Sequence, residues 1–236
     1  MARAVPGVHF HPGLTPAGHD ERAPDDRVAL ELRKIGTSVV VAHGRTLVEE
    51  GDPADDVFKV VEGELRSIRL LPDGRRHVVK FLMPGDYFGM SEGESYSQSV
   101  EAVGDSKLVR YPRQRFDALL AGDAAVSRRF YGLVCQELSA AQDRLLLLGR
   151  KTALERLVSF VLGIADRQAK TRGASTGDVR LPMNRSDIAD YLALTVETVS
   201  RLLTHLRSRG FIDLPTPNHI VLLKPQMLES IASGEA

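Results

Sequence analysis

The chain has 236 residues, of which 43% are hydrophobic and 26% charged, and its 31 basic and 31 acidic side chains leave no formal net charge. That length and balance suit two domains with a core each and exclude a disordered chain, a collagen-like repeat or a coiled-coil rod. No run reaches the ~18 apolar residues of a membrane span, and the amino terminus lacks the apolar stretch of a signal peptide, so a cytoplasmic protein with no membrane partner is expected.

Residues 1–26 are rich in Pro, Gly, His and charge without any period, and read as a flexible tail. Residues 27–123 form the next unit. From Val39 to Tyr111, short β-rich runs are broken at even spacing by Gly44, Gly51, Gly63, Gly74, Gly85 and Gly104, the pattern of a small antiparallel barrel or sandwich. Asp73 and Gly74, between the runs ending at Leu71 and starting at His77, are a hairpin signal.

The period changes over residues 124–149. Tyr131, Val134, Leu138, Ala141, Leu145 and Leu148 recur at alternating three- and four-residue steps, which is a heptad seam and predicts a dimerisation helix. Phe130, Leu133 and Leu146 lie off the seam and are expected to pack on the barrel. Cys135, the single cysteine, excludes an internal disulfide; beside the seam it reads as a small buried hydrophobe, with an intersubunit disulfide as the alternative. Gly149 is expected to break this helix, and Thr152 with Glu155 makes a capping box that starts another through about Arg167. Residues 168–180 read as a polar surface loop.

Residues 151–236, nearly all of the carboxy-terminal domain read over residues 150–236, carry 11 basic against 9 acidic side chains, too small an excess to signal nucleic acid by itself. The motif is more specific. Asn184 caps a short helix with Asp187 at its third position, ending near Ala193; Thr195 caps a second helix, with Val199, Leu202, Leu203 and Leu206 on one face and Gly210 as its stop. Phe211 to Leu214, the turn 215–218 and His219 to Leu223 read as a β-hairpin wing. Two capped helices joined by a tight turn form a helix-turn-helix. The exposed start of the second helix carries Glu197, Thr198, Ser200 and Arg201, types that reach base edges in the major groove: Arg bonds guanine O6 and N7, and Glu accepts from cytosine N4. Arg185, Ser186, Thr195 and Thr198, near helix amino termini, suit phosphates. A solvated helix face is the alternative reading of these positions.

His9, His11, His19 and His77 are candidate haem or metal ligands; His77, beside Arg75 and Arg76, reads instead as part of a solvated hairpin. Glu92, Glu94 and Glu101 form an acidic group without the His or Cys pattern of a metal site, and read as surface. No catalytic residues, metal site or cofactor are expected, and the chain does not read as an enzyme.

The stretch LVEEGDPADDVFKVVEGELRSIRLLPDGRRHVVKFLMPGDYFG resembles the β-roll, and IADYLALTVETVSRLLTHLRSRGFI the helix-turn-helix, of the family of the cyclic-AMP receptor protein and the fumarate-nitrate reduction regulator (CRP/FNR). The resemblance spans nearly all of residues 30–225. It implies an α+β fold in which an amino-terminal β-roll, like a cyclic-nucleotide-binding domain, is followed by a dimerisation helix and a winged helix-turn-helix. It also implies a homodimeric regulator, an activator touching RNA polymerase, on double-stranded promoter DNA. Glu197, Ser200 and Arg201 match the Glu-x-x-Ser-Arg pattern of the FixK-type branch, which implies TTGAT-type half-sites in an inverted repeat; Val196 stands where the cyclic-AMP branch places Arg, and is expected beside the bases. One cysteine does not supply the four that hold the oxygen-sensing regulator's cluster. Tyr96 and Ser97 replace the Arg-Ser pair that binds the cyclic nucleotide's phosphate and ribose. A FixK-like regulator without cluster or cyclic AMP is the reading, with a ligand- or haem-gated sensor as the alternative.

Overall fold

The computed structural model describes residues 26–90, 93–172 and 177–235; the candidate residues His9, His11, His19 and Glu92 lie outside them. Helix α1 (Asp26–Ile35) leads into eight strands: β1 (Thr37–Val41), β2 (Thr46–Val48), β3 (Asp56–Glu62), β4 (Leu65–Leu70), β5 (Arg76–Leu82), β6 (Tyr87–Phe88), β7 (Ser99–Ala102) and β8 (Ser106–Pro112). These make two facing antiparallel sheets, β1-β8-β3-β6 and β2-β7-β4-β5. Gly74 turns the β4–β5 hairpin at φ +82°, a conformation that glycine adopts without strain. Gly63, at φ +79°, is required for space as well: a Cβ there would lie 2.4 Å from the Asp105 carbonyl oxygen.

Alternation along β3 divides its side chains between two cores. Phe58 and Val60 fill the roll with Val41, Leu65, Leu82 and Leu108, whereas Val57 faces the helices with Tyr87, Tyr111 and Phe116. Against that second face pack α1, α2 (Arg113–Gly122) and the start of α3 (Ala124–Arg150), whose Val126, Phe130 and Leu133 are buried. Asp123 caps α3, accepting from Ala125 N–H at 2.9 Å, and the helix runs through Gly149 rather than breaking there. Glycine weakens a helix but tolerates its last turn.

After α3 come α4 (Ala153–Arg172), β9 (Asp178–Arg180), α5 (Arg185–Leu192), α6 (Val196–Ser208), β10 (Ile212–Thr216), β11 (His219–Leu222) and α7 (Pro225–Ser233). The Thr152–Glu155 capping box starting α4 is formed. The loop expected over residues 168–180 is a correction. Helix α4 continues to Arg172, and Asp178–Arg180 is a strand paired with β11, so the wing is a three-stranded sheet, β10-β11-β9. Polar side chains that read as solvated are consumed by long-range partners: Gln168 Nε2 donates to the Arg180 carbonyl at 2.6 Å, its Oε1 accepts from Arg180 N–H at 3.0 Å, and Arg167 pairs with the buried Asp86 at 2.5 Å. The α+β architecture read from the sequence, a β-roll, long helices and a carboxy-terminal helix-turn-helix, is the one observed.

Candidate nucleic-acid interface

Helix α5 begins with a complete capping box. Asn184 Oδ1 accepts from Asp187 N–H at 2.9 Å, and Asp187 Oδ2 accepts from Asn184 N–H at 3.3 Å. The helix stops at Ala193, which takes a left-handed conformation at φ +53° and so turns the chain within a few residues into α6. Thr195 caps α6, its Oγ1 accepting from Thr198 N–H at 3.1 Å and lying 3.0 Å from the Thr198 hydroxyl. Val199, Leu203 and Leu206 seat α6 against α4 and α5.

That seating turns Val196, Glu197, Ser200 and Arg201 outward; all four are exposed, and Thr198 is half-buried. Its own backbone N–H, the Thr195 hydroxyl and then the Arg201 charge hold the Glu197 carboxyl below the usual carboxylate range, so it stays an acceptor at neutral pH. Thr195 and Ser186 are exposed at helix amino termini. Arg185 sits differently: Nη2 donates to the Pro217 carbonyl at 2.8 Å, tying α5 to the wing turn, and Nη1 is buried without a hydrogen-bond partner.

The seam residues of α3 lie bare. Tyr131 is 72% exposed, Leu138 61% and Leu145 74%; Val134 and Ala141 are also exposed, and Leu148 is half-buried. Leu146 is a correction, exposed at 51% rather than packed on the roll, because Leu147 takes the inward position. Cys135 is a second correction: it is exposed on this face and not buried within the chain. His77 is half-buried between the roll and α5, not on a solvated hairpin. Glu101 is not free surface either, since its carboxylate receives Arg66 at 2.7 Å.

The chain also matches known families. Residues 38–123 match the cyclic nucleotide-binding domain and residues 155–231 the Crp-like helix-turn-helix domain. The nitrogen fixation regulation protein FixK of Azorhizobium caulinodans is 41% identical over 207 residues, 88% of this chain and 84% of that protein. The chain belongs to the CRP/FNR family, in its FixK branch. The transcriptional activatory protein AadR of Rhodopseudomonas palustris is 36% identical over 231 residues, covering 98% of this chain and 92% of its own. The solved structure of FixK2 from Bradyrhizobium japonicum superposes with a TM-score of 0.78 at 38% identity, covering 84% of this chain and 97% of that one. Its relatives are CRP/FNR transcription regulators and not enzymes.

Within this CRP/FNR fold a cavity of about 500 Å³ lies between the roll and α3, lined by Val79, Leu82, Phe88, Tyr96, Ala140 and Leu145 among others. Tyr96 is buried and donates to the Asp56 carbonyl at 2.9 Å. The two cations lining the cavity are both engaged: Lys80 pairs with Glu137, and Arg144 donates to the Val78 carbonyl at 2.7 Å while stacking on Tyr191. A cyclic nucleotide buries an anionic phosphate, which needs a charge-assisted donor. The described lining residues do not fit it. Sequence reasoning missed this cavity because its walls come from strands and a helix far apart in the chain; it also missed α1, α2 and α7, which lie outside the motifs.

Proposed function

We propose that this protein is a transcription activator that binds, as a homodimer, an inverted repeat of TTGAT-type half-sites and recruits RNA polymerase, without an iron-sulphur cluster or bound cyclic AMP. The observation that carries the reading is the joint exposure of Glu197, Ser200 and Arg201 on the first turns of α6, uncovered by the described residues. Helix-turn-helix proteins use these turns to read base edges, Arg on guanine and Glu on cytosine. Val196, 39% exposed at the first position, offers its methyls to a thymine methyl.

Ser186, Thr195 and Thr198, with the backbone N–H groups around them, meet phosphates and fix the register. Arg185 serves the backbone through the wing turn that it holds. The bare apolar stripe from Tyr131 to Leu148 supports pairing through α3. A two-fold dimer then presents its recognition helices ~34 Å apart, one turn of DNA. The name of the relative AadR, a transcriptional activatory protein, supports activation, and that of FixK, a regulation protein, supports a regulatory role.

The cavity favours a second reading in which a mostly neutral small molecule in the roll gates DNA affinity, since a gated switch needs an effector that prefers one conformation. Selection of bound duplexes from random DNA by the purified protein, without added ligand, tests both. An enriched TTGAT inverted repeat is expected; enrichment of unrelated sequence overturns the half-site assignment, and enrichment only after addition of a cell extract's small molecules favours the gated reading.

A further inference from the structure

Asp187 is the third residue of α5, and its side chain is 1% exposed. While Oδ2 closes the cap, Oδ1 reaches the other domain, accepting from Arg66 Nη1 at 2.7 Å and Arg76 Nη2 at 2.8 Å, both on the roll. Each guanidinium is steered by another carboxylate. Glu101 receives Arg66 through Nε at 2.9 Å and Nη2 at 2.7 Å, and Asp190, one turn along α5, receives Arg76 Nε at 2.9 Å. Beneath them lies an apolar contact, Phe81 of the roll against Tyr191 of α5, with ring centroids 5.3 Å apart.

The apolar layer already joins the two domains in one buried cluster. Burying two guanidiniums among three carboxylates adds little net stability, because desolvation offsets most of the attraction. What such a cluster adds is direction, since a guanidinium fork accepts carboxylates only along fixed lines. The carboxylate held by the fork also caps α5, and α6 follows α5 after three residues, so the fork's orientation passes to α6 without a flexible segment between.

We propose that the Arg66, Arg76, Asp187 and Asp190 cluster sets the angle at which each subunit presents α6, and thereby the half-site spacing that the dimer accepts. These are positioning residues that never touch DNA. The inference rests on the palindrome-binding reading above, and its test separates the two.

Affinity is measured for palindromes whose central spacer is varied by one base pair either way and for a duplex with one half-site. R76D should lose roughly tenfold on the preferred palindrome and should no longer distinguish spacings. Its single half-site binding should stay within about twofold, and the reversed pair R76D with D190R should recover both losses. Spin labels on Lys107→Cys and Ser208→Cys in a Cys135→Ser chain, mixed with excess unlabelled chain, report the angle without DNA: a narrow distance distribution should broaden in R76D and narrow again in the reversed pair. Unchanged spacing preference in R76D, or a loss that the reversed pair does not recover, overturns the proposal. If the parent chain prefers no palindrome, the functional reading fails, and the distance distribution then decides alone, an unbroadened R76D overturning the cluster's role.

Discussion

Arg201 and Glu197 are four residues apart on an exposed helix face, and their opposite charges attract each other before any DNA is present. In the proposed complex with DNA, each exchanges that weak solvated contact for a base edge. Arg201→Ala is therefore expected to cost ~1–3 kcal/mol per half-site and to relax the choice of base at one position; competition binding against half-site variants measures both. Arg185→Ala acts through the wing and should weaken cognate and random duplexes alike, leaving their affinity ratio unchanged in the same assay. Asn184→Ala removes the side-chain acceptor for Asp187 N–H, and should lower stability by ~1 kcal/mol in urea titration with an unchanged m-value. Both caps were legible, because a cap needs only neighbours in sequence. The second role of Asp187 was not, because Arg66 and Arg76 lie 121 and 111 residues away from it.

At the scale of the element, α3 has two apolar faces and the described residues cover only one. Phe130, Leu133 and Leu147 are buried against the roll and α4, while Tyr131, Leu138 and Leu145 face solvent. The heptad spacing separated Phe130 and Leu133 from the bare stripe, because a helix repeats its faces every 3.6 residues whatever covers them, but it placed Leu146 inward where the structure buries Leu147. Leu138→Glu places a charge at the centre of the bare stripe. It should give a monomer by sedimentation, with unchanged far-ultraviolet circular dichroism, and should lower palindrome affinity at least ~100-fold through loss of the paired half-site. Helix α4 shows the opposite case: its last turn reads as loop by composition, and the burial of Gln168 between α4 and β9 makes it helical.

Across the whole molecule, one apolar core passes through the domain boundary, joining Ile68, Val78 and Phe81 of the roll to Phe160, Tyr191 and Leu203. His77 stands at its edge. Burial, then the Arg144 charge, hold its imidazole below the ordinary value of 6.5, against the pull of Asp190. Because the folded value is the lower one, the unfolded chain takes up the proton first as pH falls. The contribution of neutral His77 is present above about pH 6.5 and is lost as the pH drops through the folded value. Urea midpoints at pH 7.5 and 5.5 should differ less in His77→Gln than in the parent chain.

The succession of roll, long helix and helix-turn-helix, both caps, the hairpin wing and the outward residues of α6 follow from the sequence by itself, because turn chemistry, capping and periodicity depend on residues within a few positions of one another. Tertiary structure alone decided the third strand of the wing, the burial of His77, the cavity beneath α3 and the ionic cluster between α5 and the roll. Each of these joins residues far apart in the chain, and a polar side chain that pairs across a domain boundary has the same local pattern as one left in water.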